Sequence, residues 1–144
     1  STPLYSSAAS DVYKRQLSHN TRRGTLRGMH FQVVPHAEAK MVRCVSGAVH
    51  DVALDLRPES ATYKQSFATE LSATNGRALF MPEGIAHGFQ TLADDSTLFY
   101  QMSTAYEAEA ATGVRWNDPA FQIDWPLTDP IVNDRDQSFP DYAS

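Results

Sequence analysis

The chain has the length and composition of a single globular domain. It contains 144 residues, of which 42% are hydrophobic and 20% charged, enough to build one hydrophobic core. The formal net charge of -5 argues against nucleic acid as a general partner, and no apolar run is long enough to span a membrane. The only cysteine, Cys44, excludes an internal disulfide and fits a reducing cytoplasm.

The first sixteen residues, STPLYSSAASDVYKRQ, differ in character from the rest. They show no strand alternation and no helix face, and they lack the charged and then apolar pattern of a signal peptide. We expect residues 1–16 to be a non-native-looking segment outside the fold, and residues 17–144 to form one domain.

Seven short strand-like runs follow, each bounded by turn residues such as Ser46-Gly47 and Asn75-Gly76. The predicted strands cover residues 24–32, 39–45, 48–56, 64–71, 77–81, 87–92 and 97–103. Short strands at close spacing with little helix predict an all-β sandwich or barrel. We expect one helical turn at 107–111 and, from residue 117, a loop-rich tail with short helical pieces over the barrel.

The candidate chemistry is concentrated between residues 24 and 44. Strand alternation puts His30 on one face of the first run and Arg27 on the other, unless a bulge at Gly28 turns Arg27 inward. The second run contains Lys40, on the same face as Val42 and Cys44. If the two strands lie side by side, an imidazole and an ammonium face one cavity, which suits proton abstraction beside a carbonyl. A packed core histidine and an edge lysine are the alternative that these residues leave open.

A carboxylate lies in the apolar run AVHDVALDL. Asp51 shares a strand face with Val49 and Ala53, and a carboxylate among apolar neighbours needs a partner. We expect that partner to be His87, in the turn-rich run PEGIAHGF, or Lys40.

Several separated motifs together resemble the dTDP-4-dehydrorhamnose 3,5-epimerase family. They are LRGMHFQ, an Ala-Lys pair ten residues farther on, PEGIAHGF and RWNDP, in that order. The resemblance extends from about residue 17 to residue 142 and implies a cupin-type jelly roll. It also implies an isomerase that acts as a homodimer on a nucleotide-linked 4-keto-6-deoxy sugar without a cofactor. Members of the family have a longer N-terminal portion that reaches the neighbouring subunit, and we expect it to be replaced here.

The resemblance implies roles for individual residues. His30 matches the base, Asp136 the carboxylate that orients it, Lys40 the residue near the sugar C4 oxygen, and Tyr100 the proton donor. A helix cap is the alternative for Asp136, and a core position is the alternative for Tyr100. The expected substrate-binding residues are Arg27, Tyr106, His87, Asp51 and Arg115, with the two arginines directed at the diphosphate.

The chain departs at some positions from the residue patterns of metal-binding cupins and of the epimerase family. Metal-binding cupins usually carry a His-x-His pair, whereas this chain reads His30-Phe31-Gln32, so we expect no metal. His36 and Glu38 follow Pro35 and are expected to face solvent. An acidic residue is usual in the family where this chain has Ala111, so the reaction class is better indicated than the nucleotide. The alternatives are a single-carbon epimerase, a ketoisomerase, a metal-dependent cupin oxygenase and a non-catalytic sugar-binding cupin.

Overall fold

The structure, a computed structural model, describes residues 14–143. Within these residues, no helix has the length and hydropathy needed to cross a membrane. The described elements are ten strands and one short helix: β1 (Arg15–Asn20), β2 (Thr25–Gln32), β3 (Lys40–Ser46), β4 (Ala48–Asp55), β5 (Ser66–Ser72), β6 (Ala78–Met81), β7 (Ile85–Thr91), β8 (Ser96–Met102), β9 (Ala111–Gly113), β10 (Ile131–Val132) and α1 (Asp134–Gln137).

The strands form two sheets. The smaller has the order β1-β8-β3-β6, and the larger has the order β10-β2-β7-β4-β5, with β9 paired to the free part of β2. Apolar side chains from both sheets meet in one core, Val42 and Leu98 from the smaller and Val49, Leu71 and Phe89 from the larger. Alternation along each strand therefore points one row of side chains inward, as in a two-layer sandwich. The all-β architecture expected from the sequence is confirmed.

A second apolar cluster lies on the other side of the larger sheet. Met29, Val52 and Leu54 are fully buried there against Val114 and Phe121 from the segment after β9. The C-terminal tail thus covers the outer face of this sheet, which fits the loop-rich tail expected from the sequence. Because the larger sheet is buried on both faces, β7 is apolar or buried along almost its whole length.

The sequence located most strands but missed three. β1 begins at Arg15, two residues inside the segment expected to lie outside the fold, and it pairs with β8 along its whole length. It is an exposed edge strand in which only Asn20 is buried, so it shows no apolar alternation to recognise. Residues 1–13 lie outside the described part of the chain. β9 and β10 have only three and two residues.

The two strands of the candidate site are not neighbours, contrary to the arrangement considered from the sequence. β2 belongs to the larger sheet and β3 to the smaller one, so they face each other across the interior. The bulge considered at Gly28 is present, since the pairing of β2 with β7 shifts between Arg27 and His30. Gly28 has a φ of +128°, and a Cβ there would lie 2.6 Å from the Gly88 Cα, so only glycine fits.

Candidate active site

A cavity of about 230 Å³ opens between the two sheets. The larger sheet contributes Arg27, His30 and His87 to its wall, and the smaller sheet contributes Lys40 and Tyr100. The bulge at Gly28 is what lets Arg27 and His30 face the same space, because simple alternation would direct them to opposite faces. Five residues predicted from the sequence therefore come together, and Tyr106, 55% exposed, borders the same cavity.

His30 is held by a buried carboxylate. Its Nε2 lies 2.7 Å from Oδ1 of Asp136, whose side chain is fully covered while that of His30 is 36% exposed. The other oxygen, Oδ2, accepts hydrogen bonds from the Gly28 N–H at 3.0 Å and from Nδ2 of Asn133 at 3.3 Å. Because an ionised carboxylate only accepts, neutral His30 carries its proton on Nε2, and Nδ1 is left as the basic nitrogen.

The environment of Asp136 keeps this carboxylate ionised. Burial alone would raise its pKa, but the hydrogen bond and charge of His30, together with the Gly28 N–H, outweigh burial and lower the pKa below its ordinary value. Asp136 is also the third residue after the N-cap of α1, and its backbone N–H donates to Oδ1 of Asn133 at 2.8 Å. The N-cap of α1 is therefore Asn133 and not Asp136, whose side chain instead pairs with His30.

In a second His–Asp pair, His87 lines the cavity and Asp51 does not. Nε2 of His87 is 2.7 Å from Oδ1 of Asp51, and both side chains are almost completely buried. Burial lowers the pKa of His87, with help from the charges of Lys40 and His30, while Asp51 opposes the shift. His87 is therefore a neutral imidazole at pH 7. Of the two partners considered for Asp51 from the sequence, His87 and Lys40, the structure shows His87.

Tyr100 and Lys40 share the opposite wall. The Tyr100 ring meets the His87 ring edge-on, with centroids 5.7 Å apart, and Nζ of Lys40 lies 5.7 Å from the centroid of Tyr100. Burial, reinforced by the negative charge of Asp51, raises the pKa of Tyr100 well above its ordinary value. The phenol therefore keeps its proton at neutral pH and can donate it to an anion formed beside it.

Glu38 is a cavity residue that the sequence analysis assigned to a solvent-facing turn. It lines the cavity, its side chain is only 11% exposed, and its Oε1 lies 3.5 Å from Nζ of Lys40. The signal was available in the spacing, because residues two apart in an extended chain point the same way. His36, in contrast, is exposed as expected.

The arginines divide differently from the prediction. Nε of Arg27 donates to Oδ1 of Asn20 at 2.7 Å, and its side chain lines the cavity. Arg115 does not line it, which contradicts the role expected from the sequence. Its guanidinium binds Asn117, the backbone oxygen of Phe139 and the carboxylate of Asp141, because the chain after β9 turns away to pack under the tail.

Arg135 is a cavity residue that the sequence analysis did not identify. It lines the same cavity as Arg27 and Lys40, and its place in the sequence next to Asp136 was the available signal. Among residues 14–143, three cations and one carboxylate, Glu38, thus lie on the wall. The carboxylates of Asp136 and Asp51 are outside the lining, where their histidines engage them. Such a cavity favours an anionic ligand.

Gln32, which stands where a metal-binding cupin would carry a second histidine, has a structural role. Its Nε2 donates to the His36 carbonyl at 2.8 Å, and its Oε1 accepts from the Glu107 N–H at 2.8 Å. Among residues 14–143, no three His, Cys, Asp or Glu side chains are grouped in a way that could hold a metal ion. The expectation that the chain works without a metal remains a prediction.

The comparisons with known proteins agree with this geometry. The family model described as dTDP-4-dehydrorhamnose 3,5-epimerase matches residues 4–144. A protein of that name from Sinorhizobium fredii is 46% identical over 118 residues, which cover 81% of this chain and 60% of the relative. A Streptomyces niveus protein named dTDP-4-dehydrorhamnose 3-epimerase is 45% identical over 115 residues, covering 80% of this chain and 56% of the relative.

The fold is also similar to that of a solved family member. The crystal structure of dTDP-4-dehydrorhamnose 3,5-epimerase from Bacillus anthracis with TDP and PPi bound has a TM-score of 0.87 and 41% sequence identity, and the match covers 89% of this chain and 73% of that one. This likeness confirms the jelly-roll fold implied by the resemblance. The chain spans about three fifths of the length of the curated relatives it matches. It belongs to the dTDP-4-dehydrorhamnose 3,5-epimerase family.

Proposed function

We propose that the chain inverts C3, C5 or both in a nucleotide-linked 4-keto-6-deoxy sugar, with dTDP-4-dehydro-6-deoxyglucose as the expected substrate. The observation that carries this proposal is the His30–Asp136 pair, which faces a protonated phenol and an ammonium across one cavity. The names of the relatives and the TDP bound to the Bacillus anthracis protein support a thymidine nucleotide.

The first step is proton abstraction. A ketone at C4 acidifies the hydrogens on C3 and C5, and Nδ1 of His30 removes one of them. The resulting imidazolium is stabilised by the ion pair with Asp136. The electron pair of the broken C–H bond moves towards the C4 oxygen, where the ammonium of Lys40 stabilises the enolate. No electron is gained or lost overall, so the reaction requires no redox cofactor.

Inversion requires a proton from the other face of the ring. Tyr100 belongs to the smaller sheet and His30 to the larger one, which supports Tyr100 as the donor to the opposite face. Its raised pKa makes it a weak acid in the free protein. The step becomes favourable because an enolate carbon is a strong base, and the Lys40 ammonium beside the ring helps to stabilise the tyrosinate formed.

The other residues at the cavity are proposed to bind the substrate or to support the wall. Arg27 and Arg135 supply guanidinium groups for the diphosphate. Tyr106 borders the cavity with its ring half exposed and is proposed to contact the substrate at the rim. His87 and Asp51 support the smaller-sheet wall through the edge-on contact of His87 with Tyr100.

Proton exchange with solvent tests the proposed function. We expect incubation with dTDP-4-dehydro-6-deoxyglucose in D2O to introduce deuterium at C3, C5 or both and to give an inverted product. NMR measures both changes. A folded chain that binds the sugar nucleotide without any exchange would refute the proposal and indicate a sugar-binding module. Consumption of O2 with a bound metal would indicate an oxygenase instead, and movement of the carbonyl to another carbon would indicate a ketoisomerase.

A single-carbon epimerase is the second candidate. The observation that favours it is the Streptomyces niveus relative, which is named as a 3-epimerase and is almost as similar as the 3,5-epimerase from Sinorhizobium fredii. The same NMR experiment separates the two functions, because a 3-epimerase gives stable inversion at C3 alone.

We also propose that the chain forms a homodimer through the outer face of the smaller sheet. This face carries exposed apolar side chains from three strands, Leu17 at 67%, Met41 at 42% and Phe80 at 61% exposure, and Met41 pairs directly with Phe80. A contiguous apolar face of this kind is usually covered, and a second copy covers it by symmetric pairing of like with like.

Sedimentation velocity tests this interface. We expect Met41→Glu to shift the chain towards monomer. Ile131→Glu is the matched control, because Ile131 is 45% exposed but lies on β10 of the larger sheet, and it is expected to leave the association unchanged. A monomeric wild-type chain at high concentration, or equal effects of the two variants, would refute the interface.

The compartment that we propose is the cytoplasm. Cys44 is a free, buried thiol, and burial raises its pKa, so little reactive thiolate forms at neutral pH. A chain whose stability requires no disulfide is suited to a reducing compartment. Cell fractionation tests this proposal, and recovery of the protein outside the cytoplasm would refute it.

A further inference from the structure

Glu38, the anionic member of an ion pair in the cavity wall, has no part in the mechanism described above. Oε1 of Glu38 lies 3.5 Å from Nζ of Lys40, and the two side chains are only 11% and 13% exposed. Both residues line the cavity. A carboxylate in a cavity suited to an anionic ligand is unfavourable for binding that ligand, so its presence requires a reason.

We propose that Glu38 is a positioning residue for Lys40, which fixes the ammonium where the enolate oxygen forms. The proposal rests on the proposed function, in which Lys40 stabilises that oxygen. A lysine side chain has a flexible four-carbon stem and loses considerable rotamer freedom when its end is fixed. Glu38 and the Tyr100 ring, 5.7 Å from Nζ, together confine the ammonium to one side of the cavity.

The contact between Glu38 and Lys40 is long enough to leave the N–H donors of the ammonium available to a ligand. A direct hydrogen bond between an ammonium and a carboxylate is usually about 2.7–2.9 Å long, and the 3.5 Å separation is longer. The ammonium has three N–H donors. Among the hydrogen bonds of residues 14–143, none uses Lys40 as donor to another side chain, so these donors remain available to a ligand oxygen.

The other charged groups in the cavity leave Glu38 as the natural partner of Lys40. The carboxylate of Asp136 is engaged by His30, and that of Asp51 by His87. Arg27 and Arg135 are cations and repel the ammonium. Removing Glu38 would therefore leave Lys40 among like charges, and we expect its ammonium to move away from the Tyr100 wall.

Kinetics of sugar C–H exchange test the proposal. We expect Glu38→Ala to lower kcat by about 10- to 100-fold with little change in KM, because a misplacement of about 1 Å can cost on the order of 10²-fold. Glu38→Gln should recover part of the loss, since the amide dipole keeps an oxygen facing the ammonium although the charge is removed. Glu70→Ala removes an exposed carboxylate on β5 and is expected to leave the rate unchanged.

A double-mutant cycle separates positioning from direct contact with the substrate. If Glu38 acts through Lys40, Glu38→Ala has almost no further effect in a Lys40→Met background, and the two losses are strongly non-additive. Equal losses in the two backgrounds, or a rise in KM with kcat unchanged, would overturn the proposal and indicate that Glu38 binds the substrate itself.

Lysine NMR provides a readout that does not depend on activity. The chain has three lysines, Lys14, Lys40 and Lys64, so the ammonium signals of a lysine-labelled protein are easily assigned. We expect Glu38→Ala to lower the NMR order parameter of the Lys40 ammonium and to leave that of the Lys64 ammonium unchanged. An unaltered Lys40 signal would overturn the proposal. A wild-type chain without exchange activity would refute the proposed function, whereas this signal would still decide whether Glu38 holds Lys40.

Discussion

Replacing Asp136 by Asn should trap His30 in the wrong tautomer. In the native site, Oδ2 of Asp136 accepts from the Gly28 N–H and from Asn133, so the corresponding position in an asparagine must be the amide oxygen. The amide NH2 then occupies the position of Oδ1, 2.7 Å from Nε2 of His30. Because NH2 only donates, Nε2 must accept, and the imidazole proton moves to Nδ1, the atom proposed to act as base.

The expected loss follows from the role of the base. A positioned general base contributes about 10²–10⁴-fold, which corresponds to about 2.7–5.5 kcal/mol in the barrier. We expect Asp136→Asn to reduce C–H exchange of the sugar by that factor, with KM altered little. The fold should be retained, because the asparagine still accepts both buried N–H donors and the helix cap through its backbone is unchanged.

Deuterium incorporation followed by NMR measures the effect, and thermal unfolding monitors the fold. Asp134→Asn is the matched control, since it removes an exposed carboxylate from the same helix turn, and it should exchange at the wild-type rate. A wild-type exchange rate in folded Asp136→Asn would refute the tautomer argument. A similar loss in both variants would instead indicate a general effect of charge on α1.

Three further predictions address other parts of the molecule. Tyr100→Phe should retain much of the C–H exchange while losing most inversion, both measured by NMR in D2O; a parallel loss of exchange and inversion would exclude Tyr100 as the opposite-face acid. Asp55→Asn should reduce the free energy of unfolding by about 1–3 kcal/mol at pH 7, measured by urea unfolding, because Asp55 accepts from Arg57, Ser60 and Thr62. The Arg57 hydrogen bond and these hydroxyls lower the pKa of Asp55 against the effect of burial. This stabilisation is therefore present above the unfolded value of about 3.9 and is lost as the pH falls through the folded pKa; a mutational difference that does not shrink as the pH falls below about 3.9 would contradict this. Prolonged chelation should leave turnover unchanged, and restoration of a lost activity by one metal per chain would overturn the expectation of metal independence.

Strands that are buried on one face only were recognisable from the alternation of their residues. β3 is an example, in which Val42 and Cys44 are buried while Met41 and Arg43 are exposed, so alternation identifies both the strand and its inward face. β1 has no such pattern, because it is an edge strand with most of its residues exposed. Its position depends on pairing with β8, in which residues as far apart as Arg15 and Gln101 meet, and the local pattern does not encode such a contact.

The site was predictable as a set of residues but only partly as a geometry. Alternation cannot show that β2 and β3 belong to opposite sheets, because that depends on the crossover order of the whole fold. The same limit explains the errors at Arg115 and Glu38. Arg115 follows β9, where the chain turns under the tail. Glu38 precedes β3, and alternation shows which residues of β3 share a face but not which strand lies opposite that face.

The separation of the two strands gives the proposed mechanism its stereochemical logic. If β2 and β3 had been neighbours in one sheet, His30 and Lys40 would stand on the same wall, and the base and the oxyanion group would approach a sugar from one side. In the observed sandwich, His30, the proposed base, is on the larger sheet with its partner Asp136 on α1, whereas Lys40 and Tyr100 are on the smaller sheet. A flat enolate held between the sheets then has a base at one face and an acid at the other. Inversion requires this arrangement, so the two-layer architecture supplies what the individual residues cannot.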